Sequence, residues 1–514
     1  MHPSIHAAKR PQDTAIIYAP TDETVSYLEL EKRSNQGAQL FRQLGLKTGD
    51  SIAIWMKNSA CYLEICWAAH RSGLYFTPVS THLTAEEAAY ITNDCDAKVL
   101  IASSDIGEQL QQLITKASSL LPKQPKLFIV GDTLEGSFNW YDATCNLSCE
   151  RISDEAAGSN MVYSSGTTGK PKGVRLPLSG QPADAELPFV PMQRAQYNLD
   201  EQSIYLSPAP LYHAAPLVFS MTCLSIGSTV VIMDKFEPEA FLQAVEQYKI
   251  SHVQMVPTMF VRLLKLPEAD RLKYDTSSLT YAIHAAAPCP VPIKYQMIDW
   301  WGEILYEYYG GSEGNGSTFI NSQEWLAKPG SVGKAYWGTL HICDDDGNEL
   351  PANEQGLVYF EGGFDFKYNN DDGKTADARN PKHPSWSTLG DVGYMDDDGY
   401  LFLTDRKTFM IISGGVNIYP QEAENLLITH PKVADAAVIG IPNEDFGEEV
   451  KAVIQPVDMA TAGPELEQEL ISFCRDQLAA IKCPRSVDFD PALPRGENGK
   501  LFKKQVRARY WPEK

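Results

Sequence analysis

The eleven residues YSSGTTGKPKG at positions 163–173 constrain this chain more than any other stretch. They hold three glycines, four Ser or Thr hydroxyls and two lysines, and they follow the short apolar step Met161–Val162. Polyphosphate asks for that combination. Glycines let backbone N–H groups approach its oxygens, hydroxyls add donors, and ammonium groups offset negative charge. The run is not a Walker A loop, because Pro171 follows Lys170 where Ser or Thr is required and the glycine spacing is too short. A polar turn between two strands is the plain alternative, and the length and order of the run argue against it.

The segments around it read as α/β. Residues 51–55, 98–102, 126–130, 229–233 and 252–256 are short β-rich apolar runs of the buried parallel type. Amphipathic stretches such as 27–44 and 238–248 lie between them, which predicts a mixed α/β chain with covered sheets. Residues 390–400 read as a strand, an acidic turn and a strand, and the chain restarts with a strand at 410–412 and a helix opening at Pro420. A further helix is expected over 464–482, with Leu466, Leu470, Cys474, Leu478 and Ile481 on its apolar face.

With 514 residues the chain can bury a large core in two or three domains. Its formal charge of −22 disfavours nucleic acid or an anionic membrane, since either rewards a basic surface. The Lys/Arg cluster from Lys500 to Arg509 reads as a solvated tail. The ten cysteines form no Cys-x-x-Cys and no zinc-type cluster, which is the usage of a reducing cytoplasm. No signal core, membrane-length apolar run or Ser-Lys-Leu address is visible, so a cytoplasmic protein without integral membrane association is expected.

SSGTTGKPKG resembles the phosphate-binding loop of the adenylate-forming superfamily, which comprises acyl-CoA synthetases, peptide-synthetase adenylation domains and luciferases. Other stretches fit the same pattern: EYYGGSEG at 307–314, Gly390–Asp391, Arg406, SGGVNIYP at 413–420, PRGENGK at 494–500 and PLYH at 210–213. The resemblance implies a large N-terminal domain of packed α/β subdomains over 1–404. A small mobile α+β domain follows over 405–514, with its hinge near Asp405. It further implies ATP, Mg²⁺ and CoA, and a reaction in which a carboxylate attacks the α-phosphate before a thiol displaces AMP.

On that resemblance Ser164, Ser165, Gly166, Thr167, Thr168, Gly169, Lys170 and Lys172 hold the β- and γ-phosphates. Tyr309 lies against adenine with Gly310 also in the cofactor-binding set, Ser312 donates to the α-phosphate, and Glu313 with Thr167 ligates Mg²⁺. Asp391 and Arg406 hold the ribose, Gly414 and Gly415 help line the pantetheine tunnel, and Lys500 is the adenylation lysine. His213 lies beside the acyl site, where it senses carboxylate charge or gates the pocket. Two departures stand out: Ser312 replaces the usual Thr, and TLGD at 388–391 carries one residue more than the usual Thr-Gly-Asp.

HAAAPCPVP at 284–292, Trp300–Trp301 and the 307–315 segment are similar to a bacterial branch of stand-alone fatty-acid or steroid-side-chain ligases. Small residues at 285, 286, 310 and 311 leave room for a medium-chain, long-chain or otherwise bulky apolar acid. Nothing after the closing motif suggests a fused carrier domain, and a monomer or homodimer is expected. Two other readings stay open: an acyl-AMP ligase serving a separate carrier protein, and a non-catalytic nucleotide-binding homologue.

Overall fold

In this computed structural model the structure describes residues 2–164, 171–496 and 499–511. The chain forms two compact units. The first comprises Met1–Met255, Pro267–Ile283 and Phe364–Ala376, and the second Val256–Leu266, His284–Gly363 and Asp377–Lys514.

The first unit is built mainly on parallel sheets, as its apolar runs favour, with Glu23–Ser26 and the pair around Lys172–Arg175 antiparallel. One sheet orders its strands Phe138–Asn139, Lys126–Val130, Ala97–Ser103, Ser51–Trp55, Tyr75–Pro78 and Ser159–Asn160, every adjacent pair parallel. Ser51–Trp55 is buried at all five positions, the signature of a strand covered on both faces. Its core joins Ala53, Trp55, Leu100, Leu110 and Ile129. A second set runs His252–Met255, Ile204–Ser207, Thr229–Ile232, Thr14–Tyr18 and Glu23–Ser26. The predicted strands 51–55 and 126–130 fall where the sequence placed them, and those at 229 and 252 end one residue early. The helix Tyr27–Gln43 opens on a capping box of Ser26 and Glu29, and Pro238–Tyr248 opens on its proline.

The second unit is largely antiparallel. Leu305–Gly310, Ser317–Asn321 and Lys334–Trp337 pair in order, and a four-stranded sheet follows from Thr339–Cys343, Gly356–Glu361, Ser387–Met395 and Leu401–Arg406. A last sheet is built from Val416–Ile418, Ile411–Ser413, Gly447–Pro456 and Val433–Asn443, with Ser486–Phe489 parallel to Gly447–Pro456. Helices Gln421–Leu427 and Pro464–Arg475 cover it through Leu427, Leu466, Leu470 and Cys474.

The helix expected over 464–482 stops at Arg475, and a separate 3₁₀ turn covers Ala480–Lys482. The break lets Leu478 and Cys483 fold back onto the core, while Ile481, expected on the buried face, is 44% exposed. The basic C-terminal cluster is not a free tail. Lys503 is buried against Glu424 at 2.9 Å, Arg507 pairs with Glu448 and Arg509 with Asp490. The ten cysteines form no disulfide. Among the described residues no helix is long and apolar enough to cross a membrane.

Candidate active site

The strand Leu305–Gly310 ends in a β-turn closed by the Gly314 N–H to the Gly311 carbonyl at 3.1 Å. Gly314 takes φ +60°, and a Cβ on Gly311 would stand 2.7 Å from both Glu313 Oε2 and a Leu389 methyl. Gly314 is favoured by its left-handed backbone, while a side chain at 311 would require Glu313 and Leu389 to shift. The turn buries Glu313 and leaves Ser312 exposed.

Asp391 and Arg406 are cross-strand neighbours, so sheet register brings their charges together. Arg406 Nε donates to Asp391 Oδ1 at 3.0 Å, and Tyr309 Oη donates to Oδ2 at 2.7 Å. The Tyr309 ring leans on Phe360, 6.2 Å between centroids. Burial, then the Asp391 charge, pushes the Tyr309 phenol well up, so it stays a donor. Burial works against the Arg406 charge, but the Asp391 carboxylate more than offsets it and holds the guanidinium above its ordinary value.

Lys500 joins this group. Burial first, and then repulsion from Arg406, lowers its pKa to about 8 despite the opposing pull of Glu313 and Asp391. The residue before it, Gly499, has φ +74°, and a Cβ there would meet Thr258 Oγ1 at 2.2 Å. Both the left-handed backbone and that close approach favour glycine. Five of the residues singled out by sequence thus cluster in one unit: Tyr309, Glu313, Asp391, Arg406 and Lys500.

Others lie apart from that cluster. Gly414 and Gly415 form the exposed tip of the hairpin Ile411–Ser413 to Val416–Ile418, with φ +56° and +81°. Two positive values match the inverted two-residue turn that tight hairpins favour. Asp405 accepts from the Gln421 N–H at 3.0 Å and from the Arg406 N–H at 2.6 Å. In the other unit His213 stands at the N-cap of helix Ala214–Ile226, its ring 4.5 Å from that of Tyr212, and makes no capping bond.

Of the glycine-rich run, Ser165, Gly166, Thr167, Thr168, Gly169, Lys170 and the side chain of Ser164 lie outside the described residues. Its flanks are described. Val162–Ser164 pairs antiparallel with Lys172–Arg175, which sets Lys172 opposite Ser164. Lys172 Nζ stands 4.8 Å above the Tyr368 ring. A Cβ on Gly173 would strike Tyr163, whose hydroxyl donates to Asp94 at 2.5 Å.

Beside the Tyr309 strand lies a cavity of about 260 Å³, lined by Pro288, Cys289, Glu307, Trp325, Leu403 and Gln421 among others. Around its lining residue Glu307 lies a charged cluster that was not read from the sequence as functional. Lys294, fully buried, donates to Glu307 at 2.6 Å, and the buried His284 lies 3.6 Å from the same oxygen with neither ring nitrogen hydrogen-bonded. Burial, then Lys294, keeps His284 neutral, and burial raises Glu307 against the pull of Lys294. Nearby, Ala286 takes φ +73°, a left-handed conformation rare for alanine and typical of strained sites. A lysine on the helix Val291–Trp301 gives no sequence signal of its partner thirteen residues on. Removing it should expose the interdependence: Lys294→Met should cost about 3–5 kcal/mol in denaturant unfolding, and adding Glu307→Gln should recover most of the loss.

A carboxylate, an arginine, a tyrosine and a lysine thus gather behind a glycine turn in the second unit. The sequence pattern of the AMP-binding enzyme family matches residues 4–367, and that of the AMP-binding enzyme C-terminal domain matches residues 422–500. The chain belongs to the AMP-binding enzyme family, as an acid–thiol ligase of the AMP-forming acyl-CoA synthetase type. It is 32% identical to a feruloyl-CoA synthase of Amycolatopsis sp, covering 99% of this chain and 98% of that relative. Against the long-chain-fatty-acid–CoA ligase FadD13 of Mycobacterium tuberculosis it is 28% identical, covering 98% and 97%. The crystal structure of ATP-bound MatB from Rhodopseudomonas palustris superposes with a TM-score of 0.81 at 27% identity, covering 99% of both chains.

Proposed function

We propose that this enzyme is an ATP-dependent carboxylic acid:CoA ligase acting on a medium-chain, long-chain or bulky apolar acid such as a steroid side chain. The observation that carries the reading is Lys500, a half-buried ammonium that feels the charges of Arg406, Glu313 and Asp391. Joining a carboxylate to the α-phosphate of ATP brings anion to polyanion, and fixed positive charge in a poorly hydrated site is what lowers that barrier. Lys500 bridges the attacking carboxylate and the α-phosphate, with Ser312 as a further donor. Asp391 retains unused lone pairs on both oxygens for the ribose hydroxyls. The Glu307 cavity takes the adenine base, whose exocyclic amine suits a carboxylate acceptor.

Residues 164–170 and Lys172 hold the departing pyrophosphate. Mg²⁺ is satisfied by one or two carboxylates plus phosphate oxygens and water, a donor set that the buried Glu313 carboxylate suits. Glu313 and Thr167 would hold the ion, which supplies charge neutralisation on the phosphates. The hinge belongs at Asp405, with residues 405–514 as the mobile domain. The gap between the two family patterns, 367 to 422, supports that boundary. Gly414 and Gly415, with no side chains to obstruct, then line the pantetheine path, and His213 borders the acyl site.

The test is a ligation screen over short aliphatic, aryl, long-chain and steroid acids, reading pyrophosphate and then AMP release. Acid-dependent pyrophosphate release followed by CoA-dependent AMP release is expected. Release of AMP only with a carrier protein would identify an acyl-AMP ligase instead, and no pyrophosphate with any acid would refute activation.

A further inference from the structure

The strand Val433–Asn443 runs beside Gly447–Pro456 with a register shift: Val433 faces Pro456 and Asp435 faces Gln455, leaving Ala434 as a bulge. Bulges detach carbonyls from the ladder and re-aim side chains. Both effects are visible here. The Val433 and Ala434 carbonyls accept from Lys265 Nζ, at the C-cap of helix Pro257–Leu264. The Asp435 carboxylate accepts from two nitrogens of Arg495, Nε and Nη2, the latter at 2.7 Å. The third arm of that guanidinium, Nη1, donates to the carbonyl of Gly499, the residue before Lys500.

Everything at the base of the closing segment converges on the same end. The Leu493 N–H donates to the Gln455 side chain opposite the bulge, Phe502 N–H to the Pro494 carbonyl at 2.8 Å, and Arg495 bridges Leu501. Thr258 receives Gly499 at the other end of the helix that carries Lys265. Positions 258 and 265 are two helical turns apart and so share one face. That helix meets the bulge with one end and the lysine-bearing backbone with the other.

We propose that Asp435 and Arg495 are positioning residues for the adenylation step: their bidentate pair, seated on Lys265 through the bulge, fixes the Gly499 carbonyl and thereby aims Lys500. The inference rests on the role of Lys500 given above. A planar guanidinium suits the task because it grips a carboxylate with two N–H groups and keeps a third for a carbonyl. A lysine offers no such fork. Geometry at the reacting centre is sensitive enough for this to matter, since about 1 Å of misplacement can cost about a hundredfold in rate.

Arg495→Lys and Asp435→Asn are to be assayed for acid-dependent ATP–pyrophosphate exchange and, separately, for thioester formation from supplied acyl-adenylate and CoA. Lys500→Ala is measured in parallel. The expected result is a fall of about 10- to 100-fold in the exchange kcat with KM for ATP and the thioester rate within about twofold. Lys265→Met should fall in the same direction by less. A merely structural pair would lower both half-reactions together, and that outcome, or no loss at all, overturns the proposal. Should Lys500→Ala itself retain exchange, the role of Lys500 fails and the clasp with it. Should Lys500→Ala lose exchange while the clasp variants keep it, the clasp alone is wrong.

Discussion

Lys500→Ala is expected to lower acid-dependent ATP–pyrophosphate exchange by about 10²–10³-fold while leaving thioester formation from supplied acyl-adenylate within about twofold. The first number is the usual cost of removing one preorganised charge or donor from a developing anion. The second follows because no new bond to phosphate forms in the thioester step. A pH signature should accompany it. Burial and Arg406 lower the Lys500 pKa to about 8 from 10.5, and the ammonium is the active form. Exchange measured as kcat/KM should therefore fall above pH about 8 in the parent, and the Lys500→Ala residue of activity should lack that limb. The linkage has the matching sign. Between pH about 8 and 10.5 the unfolded chain holds the proton that the folded one has lost, so this group makes stability rise through that window. Equal loss in both half-reactions would remove the assignment.

The second large effect should come from Asp391→Ala. Its carboxylate holds both the Arg406 guanidinium and the Tyr309 hydroxyl, so its removal frees two groups at once. Hydrogen bonds to a charged group contribute about 1.5–3 kcal/mol each, so the loss of even one ribose contact corresponds to about a 10- to 100-fold rise in the KM for ATP. Both half-reactions should suffer, because the adenylate remains bound through the second. Asp391→Asn, which retains the shape, should recover part of the affinity. A KM for ATP unchanged in both variants would rule out the ribose role.

How much of this was legible in the sequence depends on the range of the interaction. Strands such as Ser51–Trp55 and helices such as Pro238–Tyr248 were readable because apolar runs, caps and proline are local signals. The site cluster was readable because short motifs carry it. At the TLGD step before Asp391, Gly390 takes φ +81°, and its N–H donates to the Thr388 hydroxyl at 3.0 Å. What stayed hidden is the pairing of charges distant in sequence. Nothing in Lys294 names Glu307, and nothing in Arg495 names Asp435 sixty positions before it. Likewise the helix end at Arg475 follows from the need to return Leu478 and Cys483 to the core, a demand set by tertiary packing.

Asp405 has a different kind of consequence. Its two carboxylate oxygens are met by peptide N–H groups, those of Gln421 and Arg406. Any residue but proline at 421 presents the same donor, so exchanging that side chain leaves the bond intact. A contact of this sort imprints nothing on its partner: position 405 should be intolerant of change, while this bond makes no demand on the side chain at 421. Pairwise covariation would pass over the link altogether, and only a probe of the main chain, such as hydrogen exchange at the Gln421 amide, would register it.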